Sequence, residues 1–161
     1  MTVSRLFQPA ILPIAALVAG LTLAACSMGG PSTGGALAPA LSARMDQPGA
    51  RLDADQAIGM INAFRATRGV PPLTHDAGLD GTAQALANEY ASTGTPPKTP
   101  QELAGMKLSA GYATFAETFS GWRNNPADAA GLTTNATRAG IAATFSASST
   151  YGTHWVLVLD R

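Results

Sequence analysis

From Asp53 onward, apolar residues recur at helical spacing. Ala57, Ile61 and Phe64, with Met60 beside them, fall on one face of a first helix. Asp53-Ala54-Asp55-Gln56 gives that helix a capping-box start, with Asp53 as N-cap and Gln56 at N3, and Gly69 with Pro71-Pro72 stops it. A second helix is expected to start near Asp76. Its apolar face is Leu79, Ala83, Leu86 and Tyr90, and Gly94 ends it. "TGTPPKTPQELAGMKL", residues 93–108, carries three prolines and reads as a loop. Thr114 and Glu117 form a second capping box before a third helix, where Phe115, Phe119 and Trp122 make one stripe. Asn125 caps a short fourth helix, with Pro126 in its first position.

The pattern changes near the C-terminus. "RAGIAATFSA" and "YGTHWVLVLDR" read as strands joined by a short Ser-rich turn. In the second of them Trp155, Leu157 and Leu159 share one face, while Val156 and Val158 share the other. A strand that is apolar on both faces is central and covered on both sides. The expected fold is therefore α/β: a three-layer α/β/α sandwich with a small, mostly antiparallel sheet.

The N-terminal residues follow neither period. Arg5 is the only charge ahead of an apolar run from Ile11 to Ala25, broken once by Pro13. The run is short for a transmembrane helix and has the order of a cleaved signal peptide. It ends in Leu23-Ala24-Ala25-Cys26, which resembles the lipobox of bacterial lipoproteins. There small residues precede the cut, and the thiol after it receives the diacylglyceryl group. Cys26 is the one cysteine of the chain, so an internal disulfide is excluded and Cys26 is the expected lipidation site. One acyl chain holds a protein only marginally, and the resemblance implies more than one. By analogy with Gram-negative lipoprotein sorting, the resemblance with Ser27 in place of Asp implies the outer membrane over the inner. Residues 27–51 are rich in Gly, Pro, Ser and Ala and read as a tether. The expected organisation is a signal peptide over 1–25, a flexible tether over 26–51 and a single domain over 52–161.

Charge narrows the partners. The chain has 10 basic and 10 acidic residues and no basic stripe, which argues against nucleic acid as a partner. Asn135-Ala136-Thr137 matches a glycosylation sequon, which carries no weight in a chain with a bacterial lipobox.

The order of these elements, with particular words inside it, resembles the CAP superfamily of cysteine-rich secretory proteins, antigen 5 and group-one pathogenesis-related proteins, in its bacterial secreted branch. "INAFRATRGVPPLTHDAGLDGTAQALANEYA" is similar to the family opening, where Asn62 and Arg65 supply an N-x-x-R pair. "AGMKLSAGYATFAETFSGWRNNPADAAGL" is similar to the next segment, "TRAGIAATF" to the T-x-x-G-(V/I) strand and "YGTHWVLVL" to the aromatic final strand. The resemblance covers about residues 55–160 and implies a cleft lined by His and Glu, which binds a divalent metal in some members.

This sequence departs from that cleft. The family's Glu-Asn pair falls on Met106 and Lys107, its helix-four His on Asp128 and the following Asn on Gly131. The helix-three carboxylate of animal members falls on Asn125, and residues 91–111 contain no His. The candidate cleft is thus Met106, Lys107, Asn125 and Asp128, made less polar than in relatives by Met106, Lys107 and Leu108. His75 reads as an exposed turn residue and His154 as a packed or partly exposed strand side chain, neither with a partner of ligand type at useful spacing. A metal site needs three or four converging ligands, and the aligned cleft offers Asp128 alone, so no metal and no cofactor is expected.

A serine hydrolase would need a base facing Ser109 or Ser120, and no G-x-S-x-G is present. A carboxylate pair would need Glu102 or Glu117 beside Asp128. Asp128 lies at N3 of the fourth helix, where a carboxylate meets free amides, and is read as supporting that helix. The functional expectation is a lipid-anchored module of the bacterial cell envelope, not an enzyme, that binds or scaffolds. Its partners are the membrane, through the anchor, and a small apolar ligand or an envelope protein. A metal-assisted envelope hydrolase with non-standard ligands is the alternative.

Overall fold

The computed structural model describes residues 37–161. The apolar N-terminal run and Cys26 lie outside the described residues. Four helices and four strands follow a short 3-10 turn at Pro39–Ser42. Helix α1 is Ala54–Thr67, strand β1 Thr74–His75, α2 Ala77–Thr93, β2 Gly105–Ala110, α3 Phe115–Asn124, α4 Pro126–Leu132, β3 Arg138–Phe145 and β4 Thr153–Asp160.

The helix starts follow the sequence reading. The Asp53 carboxylate accepts from the Gln56 amide at 3.0 Å, and the Asp76 carboxylate accepts from the amides of Gly78 and Leu79. Thr114 and Glu117 form a complete capping box. Asn125 Oδ1 accepts from Ala127 and Asp128 and starts α4 at Pro126. Gly94, at φ 68°, closes α2 in the left-handed conformation that glycine tolerates best.

The sheet order is β1-β3-β4-β2. Strand β1 pairs with β3 in parallel, and β4 pairs antiparallel with both β3 and β2. The sheet is thus mostly antiparallel, as expected, with β4 buried on both faces. On one face Ile141, Trp155, Leu157 and Leu159 pack against Ile61 and Phe64 of α1 and Phe115, Phe119 and Trp122 of α3. On the other, Ala142, Val156 and Val158 pack against Ala83 and Ala87 of α2. The helix stripes and the two-faced last strand are therefore the two cores of an α/β/α sandwich.

Three expectations need correction. Residues 105–108, read as the end of a proline-rich loop, belong to β2, Gly105–Ala110. The alternation of Met106 and Leu108 with Lys107 and Ser109 is the strand signal, and the three preceding prolines obscured it. His75 belongs to a two-residue strand, too short to carry a period of its own. The folded unit also begins before residue 52. Leu41 and Met45 are buried in the α1/α3 core, and the Met45 amide donates to the Ala113 carbonyl at 2.7 Å, so the segment from 39 onward is held by the domain instead of tethering it.

Candidate functional site

The N-x-x-R pair on α1 does structural work. Asn62 clasps the Leu73 backbone, donating to its carbonyl and accepting from its amide, both at 2.8 Å. Arg65 is buried and donates to four carbonyls, those of Pro71, Leu132, Thr134 and Ala136, at 2.8 to 3.4 Å. Burial lowers the guanidinium's pKa from its ordinary value. The two side chains fix the α1–β1 turn and the α4–β3 turn to one another. They are the frame of a site, not its chemistry.

The candidate cleft residues divide between the two faces of the sheet. Met106 and Lys107 are neighbours on a strand and therefore point to opposite sides. Met106 and Leu108 pack into the α2 core. Lys107 faces α4, where its Nζ lies 2.5 Å from Asp128 Oδ1. Its stem crosses Gly131 so closely that a Cβ there would meet Lys107 Cδ at 2.6 Å. Asn125 is committed to capping α4. Asp128 sits at N3 as read, yet its partner is Lys107, and neither Glu102 nor Glu117 is paired with it. Glu117 Oε2 accepts from the Thr114 amide and hydroxyl, and Thr114 Oγ1 accepts from the Glu117 amide, so Glu117 stays a helix-start residue.

An open groove of about 570 Å³ is lined by Tyr112, Glu117, Ser120, Asn124 and Asn125, and Lys107 and Asp128 are not part of its lining. A larger one, about 690 Å³ and mainly apolar, runs between α1 and α3 over Met60, Phe64 and Phe119, with Arg68 and Arg123 on its rim.

The two histidines have partners that the sequence did not reveal. His75 is held between two carboxylates, with Nδ1 2.7 Å from Asp55 of α1 and Nε2 2.6 Å from Asp80 of α2. Asp80 also accepts from the Ile141 amide at 2.8 Å. The hydrogen bond to Asp80 is the main cause that raises the His75 pKa; burial opposes it, and the hydrogen bond to Asp55 adds to the rise. The reading of His75 as an exposed turn residue is thus wrong. Its partners come from elements twenty residues before it and five after it, and no local pattern signals them.

His154 is buried, as the packed-strand reading has it. Its ring meets Tyr90 edge-to-face at 4.7 Å, and Nε2 lies 3.2 Å from Ser149 Oγ. Burial lowers its pKa, opposed by the carbonyls of Gly152 and Thr144. Its Nδ1 has no hydrogen-bond partner among the described residues. A Ser–His pair without an orienting carboxylate on the far nitrogen lacks the third member that hydrolytic triads use. Ser109 and Ser120 are not hydrogen-bonded to either histidine.

The sequence from residue 58 to 159 matches the family described as CAP, the cysteine-rich secretory protein family. The chain belongs to the CAP family. Among curated proteins no match is found. Solved CAP-like folds resemble the chain at low identity. MpPR-1i is 20% identical, with a TM-score of 0.54 over 66% of this chain and 88% of that one. An outer surface protein of Borrelia burgdorferi is 18% identical, with a TM-score of 0.52 over 65% of this chain and 89% of that one. An extracellular protein of Bacillus anthracis containing an SCP domain is 13% identical, with a TM-score of 0.53 over 67% of this chain and 40% of that one.

These likenesses concern the fold. Two family words acquire physical reasons in this CAP domain. Gly140, the glycine of T-x-x-G, lies where α2 crosses β3, and a Cβ there would stand 2.2 Å from the Leu79 carbonyl carbon. The indole N–H groups of Trp122 and Trp155 donate to the carbonyls of Leu108 and Tyr112, each at 2.9 Å, and so fasten β2 and the loop after it. Among the described residues no helix is long and apolar enough to cross a membrane.

Proposed function

We propose that this chain is a lipid-anchored CAP module of the bacterial cell envelope, that it binds or scaffolds without catalysing a reaction, and that an ion pair occupies the place of the family cleft. The observation that carries the reading is Lys107 lying across Gly131 to reach Asp128. Those three positions are where relatives carry the Asn, Asn and His of their cleft words. Here a long side chain fills the space above a glycine and neutralises the one carboxylate nearby. A carboxylate tied to an ammonium is a poor metal ligand and a poor base.

The anchor reading rests on Leu23–Cys26 at the end of the single long apolar run of the sequence. It agrees with the surface and extracellular placement that the names of two structural relatives state for those proteins. Ligands of the module are sought in the apolar α1/α3 groove or on a partner protein.

Two measurements test the proposal. Metabolic labelling with a fatty acid should tag the wild-type chain and not Cys26→Ala. An unlabelled wild type, or a labelled Cys26→Ala, overturns the anchor. Titration of the folded protein with zinc in a calorimeter should show no stoichiometric binding tighter than about 1 μM. Tighter binding would favour the metal-assisted hydrolase and direct attention to His75 with Asp55 and Asp80.

A further inference from the structure

We propose that the groove between α1 and α3 is the face this protein lays on an anionic lipid surface. The proposal rests on the lipid-anchor reading and adds an orientation to it. The groove has an apolar floor of Met60, Phe64 and Phe119, with Leu37 exposed at its edge. Phe64 and Phe119 meet edge-to-face at 6.0 Å. Two guanidinium groups stand over these rings, Arg68 at 5.2 Å from the Phe64 centroid and Arg123 at 5.9 Å from that of Phe119. An apolar floor with a cationic rim matches the order of a bilayer surface, acyl chains below phosphates.

The charges are distributed unevenly. Of the nine basic residues from 37 to 161, Arg44, Lys107 and Arg138 are ion-paired, Arg65 is buried on carbonyls, and Arg51, Lys98 and Arg161 form no ion pair among the described residues but do not line the groove. Arg68 and Arg123 form no ion pair among the described residues, and they sit side by side on this rim. They also line a second hollow of about 460 Å³ that continues the same face past Val70 and Pro126. The opposite face is covered by α2, whose charged residues are Asp80 and Glu89, with no basic residue. An anionic surface attracts the two guanidinium groups of the first face, whereas α2 itself offers it no basic side chain.

Connectivity gives the same orientation. Leu37, on the groove's edge, is eleven residues from Cys26. At about 3.4 Å per residue that segment reaches at most ~37 Å from the anchor. A folded unit of this size is roughly 35 Å across. Seating the α2 face on the bilayer would demand a chain pulled almost straight, whereas seating the α1/α3 face demands no extension.

The test uses the full lipidated chain in vesicles. Cys26 is blocked by its lipid, so an introduced cysteine becomes the single free thiol. A fluorophore is placed at Ala63→Cys, exposed in the groove, or at Ala85→Cys, exposed on α2. Vesicles of phosphatidylglycerol carry a fraction of nitroxide-labelled lipid. Quenching should be several-fold stronger at position 63 than at 85. It should fall to the level of 85 with Arg68→Glu and Arg123→Glu together, or with phosphatidylcholine in place of phosphatidylglycerol. The Arg68→Lys, Arg123→Lys chain should keep most of it, which separates charge from a loss of folding.

Equal quenching at both positions, or quenching indifferent to the charge reversal, overturns the proposal. So does a probe at 63 that is shielded equally in detergent and in vesicles without quenching, since the groove would then be filled by the chain itself or by a bound amphiphile. Flotation with the vesicles reports the anchor separately. A chain that floats without docking refutes the orientation alone, and one that does not float refutes both readings.

Discussion

The backbone of Leu79 lies directly against the α-carbon of Gly140, and this contact sets how closely α2 approaches β3. A methyl at 140 would press on backbone atoms that cannot rotate away, with the Asp80 amide nitrogen 2.4 Å from it and the Leu79 carbonyl carbon 2.2 Å. Gly140→Ala should therefore cost at least about 2 kcal/mol, at the upper end of what overpacking usually does. Gly59→Ala, in a helix and with nothing within 4 Å of the added methyl, is the control and should be neutral or slightly stabilising. Urea melts of the two variants check the difference.

Asp128→Asn should cost about 1 to 2 kcal/mol, more than an exposed pair and less than a fully buried one, because it leaves the mostly buried Lys107 ammonium without its partner. Lys107→Met with Asp128→Ala should lose less than the two single changes added together. Gly131→Ala should displace Lys107 from its path and lower stability, and in a Lys107→Ala background the same change should cost little or nothing. A double-mutant cycle by denaturant unfolding measures each coupling. Additive effects would mean that Lys107 and Asp128 do not interact in solution.

Arg65 has no carboxylate beside it and is held by carbonyls alone, among the described residues. Arg65→Met would leave up to four acceptors unpaired in two turns and should cost about 3 kcal/mol or more. Arg65→Lys keeps the charge but lacks the fork that reaches both turns at once, so it should rescue only part of the loss. Hydrogen exchange should show the Leu73 amide and residues 132–136 opening first in both variants.

The two histidines pull stability in opposite directions with pH. The folded pKa of His75 is raised, so its stabilisation is complete below the unfolded value near 6.5 and is lost as pH rises through the folded value. The folded pKa of His154 is lowered, so folding is penalised as pH falls below that same unfolded value towards the folded one. In the wild type the two partly cancel in mild acid. Unfolding free energy measured against pH should become more acid-sensitive in His75→Gln and less so in His154→Phe. Asp80→Asn should mimic His75→Gln better than Asp55→Asn does, since Asp55 is largely exposed and its pair is screened.

Much of the fold was legible because it is local. Caps at Asp53, Asp76, Thr114 and Asn125 are spelled out within four residues, and the stripe Phe115, Phe119, Trp122 needs only the helical period. The double-sided apolar pattern of 155–159 announced a covered central strand. The site was harder. Treating Met106 and Lys107 as members of one cleft required them to point the same way, which a strand forbids. The Lys107–Asp128 and His75–Asp55 pairs bridge separate elements, and no spacing rule along the chain predicts which elements meet. His154 shows the same limit: its burial could be read from the strand, while its contacts with Ser149 and Tyr90 could not.

Strand β4 sits between β3 and β2, yet it is the last strand in the chain. A polypeptide emerging N-terminus first therefore carries β2 unpaired, and β3 paired only with the two residues of β1, until residues 153–160 arrive. Both layers of helices lack the central strand of the surface they pack on until then. Assembly has to wait for nearly the whole domain, since each core is closed by the same late segment. Such a chain stays open until its final strand is free, and then closes both cores with one segment. The interval has a hazard of its own, because β2 and β3 meanwhile present bare edges to any neighbouring chain.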